Sequence, residues 1–211
     1  MGDFLIEQLM KEDSFRKLYK DLRGKYGRPS GQWVLWCKRP KTEQERQEVI
    51  MEAVLAQRTN WKNVGLAMKN LKKARVKSLK ALCRVGKKKL APLIKPSGFY
   101  QSKTDYLFSL AGFILKNYGD LETMKKQDAR ELREKLLELK GIGPETADSI
   151  LLYALDKPVF VIDEYTRRLM EKKTPNLSYD ILQRLFEDNF KKDFRLYQDF
   201  HALIVIDAKS K

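Results

Sequence analysis

The sequence predicts an all-α protein. Apolar residues return at intervals of three and four along nearly the whole chain, alternating β-branched runs are scarce, and the breaks between periodic segments carry glycine, proline and capping side chains. With 211 residues, 43% of them hydrophobic, the chain can bury a real core and is long enough for one large or two small helical domains.

Taken in order, a first amphipathic helix is expected from Phe4 to Leu22, and Gly24, Gly27, Pro29, Ser30 and Gly31 then break the chain ahead of Trp33 and Trp36. Helices follow near Glu43 to Gln57 and Trp61 to Leu71, and Ser78 can cap a further short one. Lys95, Pro96, Ser97 and Gly98 form a turn before a long segment from Phe99 to Asn117, in which Leu107, Leu110, Ala111 and Ile114 share one face, as in a central packing helix. Gly119 stops that helix. Asp128 is placed to cap the next, whose Leu132, Leu136 and Leu139 line one side.

Charge narrows the function. Forty-three Lys and Arg against 28 Asp and Glu give a formal charge of +15, which favours a polyanionic partner because neutralising phosphates releases counterions. Nucleic acid leads over a membrane surface: no apolar run approaches the roughly 18 residues of a spanning helix. The stretch Met1 to Met10 holds Asp3 and Glu7, unlike an export signal, so a soluble, cytoplasmic protein is expected, nucleoid-associated in a prokaryote. Cys37 and Cys83 are too few for a disulfide framework or a four-thiolate site and are read as reduced and structural. No metal and no cofactor are expected.

The turn after Leu139 is the informative one. Lys140, Gly141, Ile142, Gly143, Pro144, Glu145 and Thr146 join two helices, the second running to about Leu155. Gly141 and Gly143 permit φ > 0 and let backbone N–H groups approach a phosphate oxygen, Ile142 plugs between the helices, and Lys140 adds charge. Pro144 suits the first helical position, where free N–H groups favour an anion. An isolated Gly-x-Gly is more often an ordinary tight turn. Here, however, Lys157 and Pro158 lead into an apolar extended stretch, Val159 to Ile162, that ends at Asp163, 20 residues beyond Gly143.

These linked motifs resemble the endonuclease III branch of the helix-hairpin-helix DNA glycosylase superfamily, in which an apolar run at this spacing ends in the essential aspartate. The segment from Glu52 to Val64 is similar to the one that inserts a glutamine, here Gln57, into the space left by an extruded base. Pro96-Ser97-Gly98-Phe99-Tyr100, followed by Lys103, resembles a turn of the 3-methyladenine DNA glycosylase III subgroup. The resemblance covers roughly residues 30 to 205. It implies an all-α fold of two helical domains with a DNA-binding cleft between them: a central domain over 43–155, with the helix-hairpin-helix at about 128–155, and a terminal-helix domain of 1–42 plus 156–211.

The departures from the family pattern speak to chemistry. Bifunctional members carry a lysine just after the hairpin that attacks the sugar as an imine-forming amine; here the matching residue is Glu145, which cannot. Many relatives end in four cysteines that hold an iron–sulfur cluster, whereas no cysteine follows Cys83. The resemblance therefore implies a monofunctional glycosylase of base excision repair without a cluster, acting as a monomer on double-stranded DNA with a damaged base. Asp163 would be catalytic; Gln57, Lys140, Gly141, Ile142, Gly143 and Thr146 would hold DNA. Trp33, Trp36, Trp61 and Lys209 would line the base pocket, with Phe99 and Tyr100 as further aromatics, although each Trp can equally be plain core and Lys209 a solvated tail lysine. His201 is read as structural. An electron-rich ring stacks well on a cationic alkylated purine, so 3-methyladenine-type bases are the expected substrate. A uracil or thymine-mismatch glycosylase and a noncatalytic DNA-binding protein are the alternatives.

Overall fold

In the computed structural model, residues 12–171 and 176–211 are described, and among them there are helices and connecting turns but no β-strand. The chain divides into two compact units, Met1–Cys37 with Pro158–Lys211 and Lys38–Lys157. No helix among the described residues is long and apolar enough to cross a membrane.

The terminal unit begins with α1 (Glu12–Tyr26) and the single turn α2 (Trp33–Trp36). Residues 1–11, where the expected first helix would begin at Phe4, lie outside the described residues. Gly24 does not break α1 as the sequence suggested. A glycine inside a helix costs about 1 kcal/mol against alanine and packing can override it, whereas Gly27, at φ +67°, takes the left-handed conformation that ends a helix and returns its N–H to the Arg23 carbonyl at 2.9 Å.

The central unit opens on α3 (Glu43–Leu55), started by a reciprocal capping box between Thr42 and Glu45. Asn60 caps α4 (Trp61–Lys73) and Ser78 caps α5 (Leu79–Val85). Next come α6 (Lys87–Ile94), a 3₁₀ turn at Lys95–Ser97, and α7 (Tyr100–Asn117), whose Leu107, Leu110, Ala111 and Ile114 are all buried. The unit closes with α8 (Leu121–Lys125), α9 (Ala129–Leu137) and α10 (Pro144–Ser149), which widens into a π-helical turn at Ile150–Ala154. That turn has no solvent exposure and packs on α3. Arg46 of α3, itself buried, donates to the Ala154 carbonyl at 2.5 Å and to the Asp156 carboxylate at 2.8 Å, and Lys125 takes the same carboxylate at 2.8 Å. Lys157 donates to the Gln127 carbonyl at 2.6 Å, and Lys38 pairs with Glu45. These bonds tie 38–42 and 156–157 to the central unit, so its boundaries fall outside the 43–155 read from sequence.

The terminal unit resumes with Pro158–Asp163, which has no regular secondary structure. Side chains answer its backbone instead: Glu187 accepts from the Phe160 N–H, Gln183 donates to the Phe160 carbonyl, and the Tyr179 hydroxyl accepts from the Ile162 N–H. Helices α11 (Glu164–Glu171), α12 (Tyr179–Asp188) and α13 (Phe194–Lys209) complete the unit. Its core is aromatic. Phe160 stacks on Phe186 with centroids 4.3 Å apart, and Phe15, Tyr197 and Phe200 meet these rings edge-on or tilted.

Candidate functional site

In the central unit the hairpin is built from both sides. Asp128 caps α9 by accepting from the N–H groups of Arg130 and Glu131, and Leu132 and Leu136 are buried, while Leu139 is half-buried at the turn. Arg133 reaches the fully buried Asp148 of α10 with two bonds, at 2.7 and 3.2 Å, which locks the helices on either side of the turn together. Gly141 sits at φ +83°, and a β-carbon there would fall inside the ring of Tyr106 from α7. Ile142 is buried as expected. Gly143 differs from the expectation: at φ −89° and ψ 178° it is the extended cap residue of α10, so only the first glycine needs positive φ. Pro144 takes the first helical position, while Lys140 and Glu145 are exposed.

Gln57 meets this turn directly. Its amide donates to the Gly141 carbonyl at 2.9 Å and to the Thr146 hydroxyl at 3.0 Å, so the loop after α3 and the hairpin form one assembly. Arg58 follows at φ +51°, exposed. Lys103, 2% exposed, donates to the Leu55 carbonyl at 2.8 Å and the Ser97 carbonyl at 2.6 Å, joining the end of α3 to the turn before Phe99. Burial pushes its ammonium down to about 8. Phe99 is 64% exposed at φ +45°.

In the terminal unit Asp163 caps α11: its Oδ1 accepts from the Thr166 N–H at 2.8 Å. Its Oδ2 lies 3.5 Å from Nε2 of His201, which is only 3% exposed. Burial works to lift the Asp163 carboxyl, but the facing His201 and the hydrogen bond from the Thr166 N–H outweigh it and hold the carboxyl below its usual range. The His201 ring is fixed edge-on by Trp33, centroids 5.6 Å apart, and by Phe160 at 6.2 Å.

Trp33 and Trp36 are each 4% exposed and pack edge to face at 5.7 Å, so both indoles are core side chains of the terminal unit. Trp61, in the central unit, and Tyr100 are half-buried. Lys209 ends α13 with its ammonium 5.4 Å from the Tyr165 ring centroid; partial burial lowers its pKa, opposed by the Asp163 carboxylate. Cys37 and Cys83 form no disulfide, Cys37 donating to the Gln198 carbonyl at 3.6 Å, and the described residues contain no cluster suited to a metal ion. Sequence reasoning missed Tyr106, named Lys103 only as part of the turn after Pro96, and read His201 as structural, because what each of them meets depends on segments distant in the chain.

The described residues thus combine helices, a Gly-x-Gly hairpin leading into α10 and an aspartate that caps α11, and comparison with known proteins says which family shares them. Residues 51–191 match the model of the HhH-GPD superfamily of base excision DNA repair proteins, and the chain belongs to that family. It is a DNA glycosylase of base excision repair. A Methanocaldococcus jannaschii protein that carries the name DNA repair glycosylase is 41% identical over 95% of this chain and 90% of its own. The crystal structure of H. pylori 3-methyladenine DNA glycosylase, bound to 1,N6-ethenoadenine, is similar with a TM-score of 0.77 and 32% identity, covering 94% of this chain and 98% of that one. An endonuclease III in a non-covalent DNA complex shares the fold at 15% identity, with a TM-score of 0.73 over 93% of this chain and 85% of its own.

Proposed function

We propose that the protein is a monofunctional glycosylase that hydrolyses the N-glycosidic bond of an alkylated purine extruded from double-stranded DNA, with Asp163 as its catalytic carboxylate. The observation that carries this reading is the setting of Asp163: fixed at one oxygen by the Thr166 N–H and faced at the other by His201, 3.5 Å away. As the C1′–N bond breaks, its electron pair leaves with the base and positive charge develops on the sugar, which a fixed carboxylate stabilises. Water adds to C1′ and its proton passes to the carboxylate and on to solvent, leaving a free base and an abasic site. A cationic alkylated purine departs neutral, so no strong general acid is needed. Glu145 supplies no amine for an imine route.

DNA is held by Lys140, Gly141, Ile142, Gly143 and Thr146 of the hairpin, with Gln57 leaving its present partners to fill the space of the extruded base, at a cost of a few kcal/mol for unstacking. The base-pocket residues are Trp33, which packs edge-on against His201, Trp36 against Trp33, the half-buried Trp61, and Lys209, whose ammonium senses the Asp163 carboxylate. One copy suffices. The purine class is supported by the H. pylori relative, solved with an ethenoadenine. Chromatography of bases released from methylated, uracil-containing and mismatched duplexes tests it: 3-methyladenine is expected, release of only uracil or thymine moves the protein to the mismatch class, and no release at all leaves a DNA-binding protein.

A further inference from the structure

The net charge of this protein is not spread over it. Between Ala53 and Thr104 stand fourteen Lys and Arg and not one Asp or Glu; the rest of the chain holds 29 basic against 28 acidic residues. That segment is α4, α5, α6 and their flanking turns, in which α4 and α5 each pack on α6, and α5 and α6 pack on α7. Thirteen of the fourteen basic residues are exposed and only Lys103 is buried. Two acids reach in from neighbouring elements, Glu48 to Lys72 and Asp105 to Lys87.

This arrangement works against folding. Helix N-termini carry partial positive charge and favour acids, as α3 shows with Glu43 and Glu45 in its first turn. By contrast α6 opens on Lys87, Lys88 and Lys89 behind Gly86, which offers no side-chain cap, and α4, α5 and α6 have no acid in their first turns. Charges crowded against both the helix dipole and one another call for an anionic partner.

We propose that the exposed surface of α4–α6 is a second duplex-DNA binding face, which holds undamaged backbone by charge alone and supplies most of the sequence-independent affinity. The proposal rests on the reading of the protein as acting on DNA. The partner is the same duplex that the hairpin grips, because the basic segment contains Gln57 and Arg58, and Gln57 is bonded to the hairpin itself. A face of this kind keeps the protein on DNA between lesions and leaves the chemical step to other residues.

Binding of an undamaged duplex, followed by fluorescence anisotropy over a salt series, tests the proposal on two triple variants, Lys69→Gln with Lys73→Gln and Lys77→Gln, and Lys88→Gln with Lys89→Gln and Lys95→Gln. The slope of log K against log salt should flatten by roughly 0.9 for each phosphate no longer neutralised, up to about 3 for a triple variant. Melting temperature should not fall, and single-turnover base release at saturating enzyme should stay as in the native protein. Native slopes in both variants overturn the proposal. The two readings fail separately: a native protein that releases no base from any duplex defeats the glycosylase assignment while the salt slopes still decide this one.

Discussion

The hairpin and the surroundings of Asp163 are two halves of one proposed chemistry, built in opposite ways. The hairpin is almost wholly local: cap, plug, turn glycine and first helical proline lie between Asp128 and Asp148, and the Arg133–Asp148 pair closes the unit on itself. Asp163 draws its environment from segments far apart in the chain. Thr166 comes from the next helix, His201 from the last one, and Trp33 from near the start. A local device can be recognised as a pattern, whereas a carboxylate's electrostatics can be known only once the fold brings its partners in.

The largest expected effect breaks the second half alone. Asp163→Asn keeps the cap geometry but removes the charge, and base release should fall by roughly 100- to 10,000-fold, the range over which a positioned acid–base group acts. Binding of duplex by gel shift should be nearly unchanged. Unchanged release would remove Asp163 from the reaction.

Next in size is a contrast within the hairpin. Gly141→Ala places a β-carbon on left-handed backbone and into Tyr106, with an expected destabilisation of about 2–5 kcal/mol and loss of DNA affinity. Gly143→Ala, at φ −89° with nothing within 4 Å of the added carbon, should melt close to the native protein. Equal thermal shifts in the two variants would contradict the assignment of the turn.

A pH profile sharpens the comparison further. The Asp163 carboxyl is depressed in the folded protein, so its ionised form persists below the ordinary carboxylate range and is lost only as pH falls through the folded value. Activity, and the stability this pair contributes, should decline there. His201→Gln removes the facing imidazole while burial remains, so the acid limb should move to higher pH. The Asp163 carboxylate acts to raise the pKa of the Lys209 ammonium, and Lys209→Gln should move the limb the same way but less. Carboxyl carbon-13 titration of Asp163 reads the shift independently of activity.

The smallest effect is expected at Gln57. Gln57→Ala forfeits two bonds to the hairpin at a half-buried position, about 1 kcal/mol of stability, and slows base extrusion in a 2-aminopurine assay without moving the pH profile.

Much of this was legible in the sequence, and the exceptions have physical causes. Helix starts at Ser78 and Asp128 lie where side-chain caps announce them, and Asp163 stands at a spacing the hairpin makes meaningful. Gly24 misled because a glycine ends a helix only where backbone must turn left-handed, and Gly143 misled for the complementary reason. Trp33 and Trp36 look alike as pocket or core in one dimension; they pack against each other, and Trp33 against His201, which comes from a helix far along the chain. His201 seemed an ordinary core residue because nothing in its own helix reveals that Asp163 faces it.

The central claim is base excision without strand cleavage, and a methylated duplex incubated with the native protein tests it most directly, with released bases and strand breaks counted before and after alkali, and borohydride added in parallel. Free 3-methyladenine, breaks that appear only after alkali and no covalent protein–DNA adduct are the expected result. Breaks before alkali accompanied by a trapped adduct would contradict it.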